Sequence, residues 1–375
     1  MVICLIGTRA QLIKMAPVLR RLEASAVPCR LILSGQHQET MQALLQEFGI
    51  GLPPLRMGEG PEITRVGPLL RWFLRMLWQG LVPRRAWFRP EPAAPACMVV
   101  HGDTVSTLLG ALLGRWHGLS VVHVESGLSS GRWREPFPEE LIRRLVFRLT
   151  DLAFCPGPVA TARLAGRRLR RVDTGANTIL DAVRLARERF AGVTAPVPST
   201  PYGVVSLHRF ENIFDAARFG ALLDALEQAA ALLPLVFVLH PSTRRQAERL
   251  GLMGRLSSMP GLTLLPRMTY VPFLKLASGA RCVVTDGGSN QEELAYLGIP
   301  TLLMRRVTER DDGLGATVAL AGDAPHALAA FVRRVLEATP SALVATEADG
   351  EDSPARRIAT LLAAEFGPQP MRLAD

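Results

Sequence analysis

The sequence has little cysteine, and none of it is arranged for cross-linking or for binding a metal. The five cysteines among the 375 residues are Cys4, Cys29, Cys97, Cys155 and Cys282. They form no CxxC pair and lie in or at the start of apolar, strand-like runs, so we expect buried, reduced thiols in a cytoplasmic protein. No metal-ligand cluster stands out, and we expect no cofactor.

Long apolar runs and a recognisable leader are also lacking. No run approaches the ~20 residues that a membrane-spanning helix needs. The opening residues, MVICLIGTR, read as a short strand with no charged segment before them. That is not the pattern of a secretory leader, so we expect neither export nor a transmembrane segment.

Lysine is nearly absent although the chain is basic. Of 43 basic residues only Lys14 and Lys275 are lysines, and the formal net charge is +9. The arginines are scattered, and no zinc-finger, RNA-binding or basic-helix motif accompanies them, which argues against nucleic acid as a partner. We attribute the excess mainly to genome composition, with a contribution from anionic substrates or surfaces.

The sequence does contain short apolar strands that alternate with helical segments. Hydrophobic residues make up 48% of the chain and charged residues 21%, as in globular proteins with substantial cores. This alternation predicts doubly wound parallel sheets. A proline-bearing stretch near residues 189–202 marks a boundary, so we expect one Rossmann-like α/β domain at residues 1–190 and another at 200–365.

One stretch, Val283 to Arg310, predicts a seat for a nucleotide diphosphate. It reads as a strand, a turn with Gly287 and Gly288, a helix that stops at Gly298, and a second strand. We expect the two glycines to adopt positive φ values at the sharp junction. Free N–H groups and the positive end of the helix dipole would then face one point. An ordinary βα turn is the alternative interpretation.

Polar residues follow several predicted strands directly. Arg9, Asp103 and Glu125 each lie within three residues of a strand's carboxyl end. Ligands of doubly wound sheets bind beyond that end, so these side chains should line one crevice.

The segment VGPLLRWFLRMLWQGLVPRRAWFR, residues 66–89, is unusual. Arg71, Arg75 and Gln79 form a narrow polar stripe on an otherwise apolar helix, and three more arginines, Arg84, Arg85 and Arg89, follow. One interpretation is a largely buried helix with one wet edge. The other is a basic, tryptophan-bearing surface for peripheral contact with anionic lipid or with a partner.

A series of motifs gives the chain a family resemblance over residues 2–336. It comprises GTRAQLIKMAPV, SGQHQE, HGDT, HVESGL, PFPEELIRR, HRFEN, YVPF, GGSNQEE, LGIPTLLM and VTER. Their order and approximate spacing resemble those of the non-hydrolysing UDP-N-acetylglucosamine 2-epimerases. The resemblance implies the GT-B fold, two Rossmann-like domains with a cleft between them. It also implies that the enzyme interconverts UDP-N-acetylglucosamine and UDP-N-acetylmannosamine through elimination and re-addition of UDP. The expected pathway is cell-surface polysaccharide synthesis, and the expected assembly is a homodimer.

The resemblance also assigns roles to individual residues. The acidic positions Asp103, Glu125 and Glu139 match the family's catalytic carboxylates, one of which would abstract the proton at C2, and His208 would assist the departing diphosphate. The basic positions Arg9, Lys14 and Arg143 would lie near the diphosphate and the sugar. On the far wall, the expected substrate-binding residues are Phe273 against uracil, Gly287, Gly288 and Ser289 at the phosphates, Glu293 at the ribose, and Arg310 in support.

The sequence departs from the family pattern at several of these motifs. Gln11 replaces a glutamate, Ser129 an arginine and Ile142 an asparagine, the phosphate turn is rearranged to DGGSNQEE, and VDTGANT carries one extra residue. An arginine or asparagine lost from a buried polar site would leave its partner unpaired, at about 1–3 kcal/mol, unless the ligand itself differs.

Two other enzymatic activities therefore stay open. One is a GT-B glycosyltransferase with a UDP-sugar donor, and the other is a hydrolysing 2-epimerase. The positions Gln36, His37, Arg209 and His240 match a second, regulatory UDP-sugar site of some bacterial members, with Glu39 departing from the usual glutamine there.

Overall fold

The computed structural model describes residues 1–35, 41–58, 66–81, 86–88, 95–129, 131, 138–308, 310–322, 324–338 and 353–368. The chain divides into two compact units. Unit 1 comprises Met1–Ala182 with Ala348–Asp375, and unit 2 comprises Val183–Glu347. Within the described residues, no helix is both long and apolar enough to cross a membrane.

Unit 1 is built on a seven-stranded parallel sheet. Its strands are β1 Val2–Ile6, β2 Cys29–Leu33, β3 Leu55–Arg56, β4 Cys97–His101, β5 Ser120–Val124, β6 Leu152–Cys155 and β7 Arg170–Asp173. Its helices are α1 Arg9–Ala24, α2 Met41–Phe48, α3 Val66–Leu81, α4 Val105–Trp116, α5 Glu139–Leu149, α6 Pro158–Arg163 and α7 Ile179–Glu188, the last of which continues into unit 2. The central strands are apolar and fully buried, as expected when helices cover both faces of a sheet.

Unit 2 is built on a six-stranded parallel sheet. Its strands are β8 Gly203–Ser206, β9 Leu235–Leu239, β10 Leu262–Pro266, β11 Cys282–Thr285, β12 Thr301–Leu303 and β13 Val318–Leu320. Its helices are α8 Phe210–Ile213, α9 Ala216–Ala230, α10 Pro241–Arg249, α11 Met253–Ser258, α12 Tyr270–Ser278, α13 Gly288–Tyr296 and α14 Ala327–Glu337. Short 3₁₀ turns occur at Ala86–Phe88 and Phe190–Gly192.

Both sheets have the Rossmann strand order. Unit 1 runs β3-β2-β1-β4-β5-β6-β7, and unit 2 runs β10-β9-β8-β11-β12-β13. In each, the order reverses between the first and fourth strands of the unit, β1 and β4 or β8 and β11. Ligands of open α/β sheets bind at such a switch point, beyond the carboxyl ends of the strands. The predicted fold class, two Rossmann-like parallel-sheet domains, is therefore confirmed.

The last helix, α15 Pro354–Phe366, does not lie where the sequence suggested. We expected residues 200–365 to form the second domain, but α15 packs against α1 in unit 1. Its buried face includes Ile358, Leu362 and Phe366. The N-terminal ammonium of Met1 donates to the carbonyl of Phe366 at 2.6 Å. Unit 1 buries the apolar stripe of α15. Helical periodicity alone does not reveal which sheet will bury such a stripe.

Helix α3 combines a buried side with an exposed apolar side. Met76 is buried in the core of unit 1, and Phe73 and Leu77 pack against that core. On the outward side Leu70, Leu74 and Trp78 are 58%, 56% and 71% exposed. The expectation of one polar edge on a buried helix is therefore incomplete, because this apolar row is exposed as well. Arg84, Arg85 and Arg89 lie outside the described residues.

Candidate active site

At the switch point of unit 1, hydrogen bonds of one side chain, Gln11, join two loops. Thr8 caps α1, and the side chain of Gln11 reaches back to accept from the backbone N–H groups of Gly7 and Thr8 at 2.9 and 3.1 Å. The amide nitrogen of Gln11 donates to the carbonyl of His101 at 2.7 Å and to Thr107 Oγ1 at 2.9 Å. Gln11 thereby ties the β1–α1 turn to the β4–α4 turn.

Glu125 forms the centre of the unit 1 cluster. It follows β5 directly, and its largely buried carboxylate pairs with Lys14 on α1. The amide of Asn177 donates to the same oxygen at 2.5 Å, and His101 Nε2 lies 3.4 Å from the other. The backbone at Glu125 adopts a φ of 61°, a strained conformation for a residue other than glycine. Such strain clusters at functional sites, where the surrounding contacts hold it in place.

A second ion pair lies on the same edge of the sheet. Arg143 on α5 pairs with Asp103, and its other nitrogen lies 3.2 Å from Glu140 Oε2. Burial by itself lowers the pKa of Arg143, but the negative charges of Asp103 and Glu140 outweigh burial and raise it above its ordinary value. Arg143 is therefore held as a permanent cation with a fixed direction.

Glu139 starts the helix that carries Arg143. It is half-buried, and its Oε2 has no hydrogen-bond partner among the described residues. Arg9 is half-buried as well, and its Nε likewise has no partner in that part of the chain. Arg9, Asp103 and Glu125 follow three neighbouring strands, β1, β4 and β5, at one edge of the sheet, and that they line one crevice stays a prediction. Their roles toward a ligand stay predictions.

The departures from the family motifs have structural partners in unit 1. Ser129 donates to Glu140 at 2.5 Å, and Glu140 also pairs with Arg143 and Arg144. Ile142 is buried in the apolar core beside Val146. Glu140 is therefore paired in this chain, with Ser129 as one of its partners. At Ile142, the side chain faces the core.

The switch point of unit 2 depends on a buried carboxylate, Asp286. It follows β11 and is completely buried. It accepts from the backbone N–H groups of His208 and Arg209, at 3.0 and 2.9 Å, and from the amide of Asn212 at 3.0 Å. Nδ1 of His208 lies 3.2 Å from its Oδ1. The loop after β8 is thus fastened to the loop after β11.

The predicted phosphate turn opens α13, but not through the backbone conformation that we expected. Gly287 is the N-cap with φ −80° and ψ 127°, and neither Gly287 nor Gly288 has a positive φ. No side chain caps this helix end. The glycines therefore contribute an open approach rather than a left-handed turn. Ser289 lies half-buried in the first helical turn. The backbone N–H of Gly287 donates to Thr285 Oγ1 at 3.2 Å, whereas the N–H groups of Gly288 and Ser289 have no partner among the described residues.

The remaining predicted residues of unit 2 surround the next turns of α13. Glu293 is buried. Burial of the Tyr270 hydroxyl is the main cause of its raised pKa, and the negative charge of Glu293 adds to that effect. Arg310 pairs with Glu292 and accepts at its backbone carbonyl from Gln291 Nε2 at 3.0 Å. Phe273 lies half-buried on α12, one turn after Tyr270.

Two histidines beside these networks have pKa values lowered by burial. Nε2–H of His123 donates to the carbonyl of Gly102 at 2.7 Å, and burial lowers the pKa of His123 to about 4. Burial, then the charges of His208 and Arg245, lower the pKa of His240 to about 4. The ring of His240 lies 5.1 Å from that of His208. Of the positions matched to a regulatory site, Gln36, His37 and Glu39 lie outside the described residues.

Sequence reasoning missed several residues of both clusters. Asn177, His101 and Asp286 contact predicted site residues, yet none was selected. Asn177 lies in the unusual VDTGANT segment, and that irregularity was the signal available for it. Among the described residues, no group of three or more histidine, cysteine or acidic side chains is placed to hold a metal ion.

Comparisons with known proteins identify the family of this chain. The family model described as UDP-N-acetylglucosamine 2-epimerase matches residues 20–363. The chain belongs to this family. A protein of Ralstonia solanacearum described as a probable UDP-N-acetylglucosamine 2-epimerase is 31% identical over 346 residues, 87% of this chain and 88% of its own. The UDP-N-acetylglucosamine 2-epimerase of Escherichia coli is 29% identical over 90% of each chain.

Solved structures of family members share the fold. The Methanocaldococcus jannaschii enzyme, in complex with UDP-GlcNAc and UDP, matches 97% of this chain and 99% of its own, with a TM-score of 0.74 and 24% identity. A Listeria monocytogenes protein described as a putative UDP-N-acetylglucosamine 2-epimerase matches 97% of this chain and 96% of its own, with a TM-score of 0.75 and 23% identity. These likenesses concern the fold.

Proposed function

We propose that this protein is an isomerase that interconverts UDP-N-acetylglucosamine and UDP-N-acetylmannosamine. The observation that carries the proposal is family membership over residues 20–363, combined with retention of the charged cluster around Glu125 and Arg143. The reaction eliminates UDP and adds it back. The C2 proton moves to a base, the C2–H electron pair becomes a C1–C2 double bond, and the C1–O pair leaves with UDP.

Unit 1 supplies the acid–base chemistry in this proposal. Inversion at C2 requires removal of a proton on one face and its return on the other, so at least two proton-carrying groups are needed. The three carboxylates Asp103, Glu125 and Glu139 come from separate loops and have different surroundings. Different surroundings allow carboxylates to take different roles at one pH. The strained, firmly held Glu125 is our choice for the residue whose loss harms proton transfer most.

Unit 2 supplies the binding of the leaving group. The N-terminus of α13 offers the N–H groups of Gly288 and Ser289 and a positive dipole to the diphosphate, and Gly287, whose own N–H donates to Thr285, leaves the approach open. His208 assists the same group by donating a hydrogen bond. Glu293 accepts from the ribose hydroxyls, Phe273 packs on uracil, and Arg310 holds the helix through Glu292. On the unit 1 side, Arg9, Lys14 and Arg143 balance the negative charge of substrate and carboxylates.

Product analysis tests the proposal. Purified protein is incubated with UDP-N-acetylglucosamine and followed by ¹H and ³¹P NMR, with heat-inactivated protein as the control. We expect UDP-N-acetylmannosamine to accumulate to an equilibrium mixture. Release of UDP with free N-acetylmannosamine would replace the proposal by the hydrolysing reaction. UDP binding without turnover would favour a transferase, and would call for a screen of acceptors.

We also propose a peripheral contact of α3 with anionic lipid. Leu70, Leu74 and Trp78 recur every four residues, so they form one exposed row. The exposed Arg71 and Arg75 lie beside that row, and α3 carries no acidic residue. An apolar face with tryptophan and flanking arginines matches the chemistry of an anionic membrane surface.

Vesicle binding tests the membrane contact. We expect co-sedimentation with phosphatidylglycerol-containing vesicles but not with phosphatidylcholine alone, and a loss of binding in a Leu74→Gln/Trp78→Gln variant. Val159→Gln removes an equally exposed apolar residue of unit 1 and should bind like the parent. Assembly as a homodimer stays a prediction. If the double variant instead separates a dimer in solution, α3 joins two copies of the chain and the membrane proposal is wrong.

A further inference from the structure

We propose that Asp286 is a positioning residue for the reaction, because it sets the tautomer and the direction of the His208 imidazole so that Nε2 faces the leaving diphosphate. The inference rests on the proposed function for its catalytic meaning. The pairing of the two side chains is a property of unit 2 alone, and it is measured separately.

The first step of the argument is the burial of Asp286. Its side chain has no solvent exposure, and among the described residues no lysine or arginine pairs with it. A buried carboxylate is tolerated only when hydrogen bonds or cations satisfy its charge. Here the donors are two backbone N–H groups and the Asn212 amide, and the His208 ring lies beside the carboxylate with Nδ1 3.2 Å from Oδ1. The negative charge of Asp286 is thus directed at the loop that carries His208.

The second step concerns the His208 ring. A carboxylate offers only lone pairs, so a hydrogen on the Nδ1 that lies 3.2 Å from Asp286 Oδ1 is favoured over a second lone pair there. The partner of one ring nitrogen decides the state of the other. A hydrogen on Nδ1 leaves Nε2 as the nitrogen that carries the second hydrogen of the imidazolium form. The imidazole is 39% exposed, so it is open to a ligand while Asp286 is closed to one.

The third step separates positioning from support of the loop. The backbone bonds to His208 and Arg209 already hold the loop, and Asn212 ties it to the carbonyl of Met304 at 2.9 Å. The ring contact adds nothing that this support requires. In the imidazolium form both ring nitrogens carry hydrogens, and the carboxylate beside Nδ1 leaves Nε2–H to donate to the diphosphate.

Asp286→Asn tests this role with almost no change in shape. Its amide oxygen still accepts from the backbone, but its amide nitrogen would donate to Nδ1 of His208 and move the ring proton to Nε2. We expect the turnover rate to fall by roughly 10- to 100-fold, the range typical for loss of a partner that orients a histidine. UDP affinity should change by less than about threefold, since the helix N-terminus is untouched.

The direct readout is ¹⁵N NMR of histidine-labelled protein at a pH where the ring is neutral. We expect Nδ1–H for His208 in the parent and Nε2–H in Asp286→Asn, with the resonance assigned by its loss in His208→Gln. Asn212→Ser is the control for a loosened loop. It removes a different donor to Asp286 and should keep the parent tautomer and most of the turnover rate.

Three results would overturn the proposal. The first is an Nε2–H tautomer in the parent protein, which needs no variant and so is independent of folding defects. The second is an unchanged tautomer in a folded Asp286→Asn. The third is a loss of UDP affinity that accounts for the whole loss of turnover, because that is the effect of a loop-supporting residue. If the parent protein has no epimerase activity, the proposed function fails, while the tautomer measurement still decides whether Asp286 controls the ring.

Discussion

The two switch points have the same topology but opposite electrostatics. In unit 1, the edge beyond β1, β4 and β5 holds two ion pairs, Lys14 with Glu125 and Arg143 with Asp103. In unit 2, the edge beyond β8 and β11 holds one buried carboxylate satisfied largely by neutral donors and a helix end without a side-chain cap. The comparison teaches that one Rossmann scaffold suits two tasks. In our proposal the paired ions of unit 1 serve proton transfer, and the helix N-terminus of unit 2 serves anion binding.

The comparison predicts its largest effect at Glu125. Glu125→Gln keeps the shape of the side chain but removes the charge that faces Lys14, so proton transfer should be lost. We expect epimerisation to fall by about 10²- to 10⁴-fold, the usual contribution of a positioned acid or base. UDP affinity, measured by calorimetry, should change little. An equal loss of affinity and of rate would contradict the division between the two units.

The next effect is expected at the helix end of unit 2. Ser289→Asp places a negative charge in the first turn of α13, which favours the helix but repels a diphosphate. UDP affinity should fall by roughly 10- to 100-fold, equivalent to loss of a hydrogen bond to a charged group, while the melting temperature stays level or rises. Ser289→Asn is the neutral control. Unchanged UDP affinity in Ser289→Asp would remove the helix end from the binding site.

The stability of unit 1 should depend on pH through His123. Burial lowers the pKa of His123 to about 4, below the ~6.5 of an unfolded chain. As the pH falls, His123 is therefore protonated in the unfolded chain before it is protonated in the folded one, and stability is lost from about pH 6.5 toward pH 4. Between pH 7 and pH 5 this histidine should remove about 2 kcal/mol of unfolding free energy. Urea unfolding at both pH values measures the loss, and His123→Gln should be less sensitive to acid by that amount.

The smallest effect is expected at Ser129, which replaces a family arginine. Ser129→Ala removes one donor to the buried Glu140 but leaves Arg143 and Arg144 in contact with it. We expect a stability loss of about 1–2 kcal/mol with the reaction rate almost unchanged. Ser126→Ala, at a buried serine whose hydroxyl has no described partner, is the control. A large loss of rate in Ser129→Ala would give Ser129 a role at the ligand.

The strands were predictable because their apolar runs are short and bounded. Val2–Ile6 and Cys282–Thr285 are fully buried, and such runs indicate a two-sided sheet whatever their partners are. The polar residues after these strands followed from the same rule, since parallel strands end at one edge. Position along a strand thus led directly to Arg9, Asp103 and Glu125.

The contacts between distant segments were not predictable from one sequence. Asp286 meets His208 across 78 residues, and Asn177 meets Glu125 across 52. No local pattern records such pairings. The backbone also differed from expectation, because Glu125 adopts the positive φ that we assigned to glycines of the phosphate turn, while Gly287 does not. Local propensity describes what a residue permits, and tertiary packing decides which permitted state is used.

Deuterium incorporation at C2 tests the central claim most directly. The protein is incubated with UDP-N-acetylglucosamine in deuterated water, and the recovered UDP-sugars are examined by NMR and mass spectrometry. We predict one deuterium at C2 of UDP-N-acetylmannosamine and of the returned substrate, with no exchange in Glu125→Gln. Intact substrate without deuterium at C2, from a protein that binds UDP, would contradict the account.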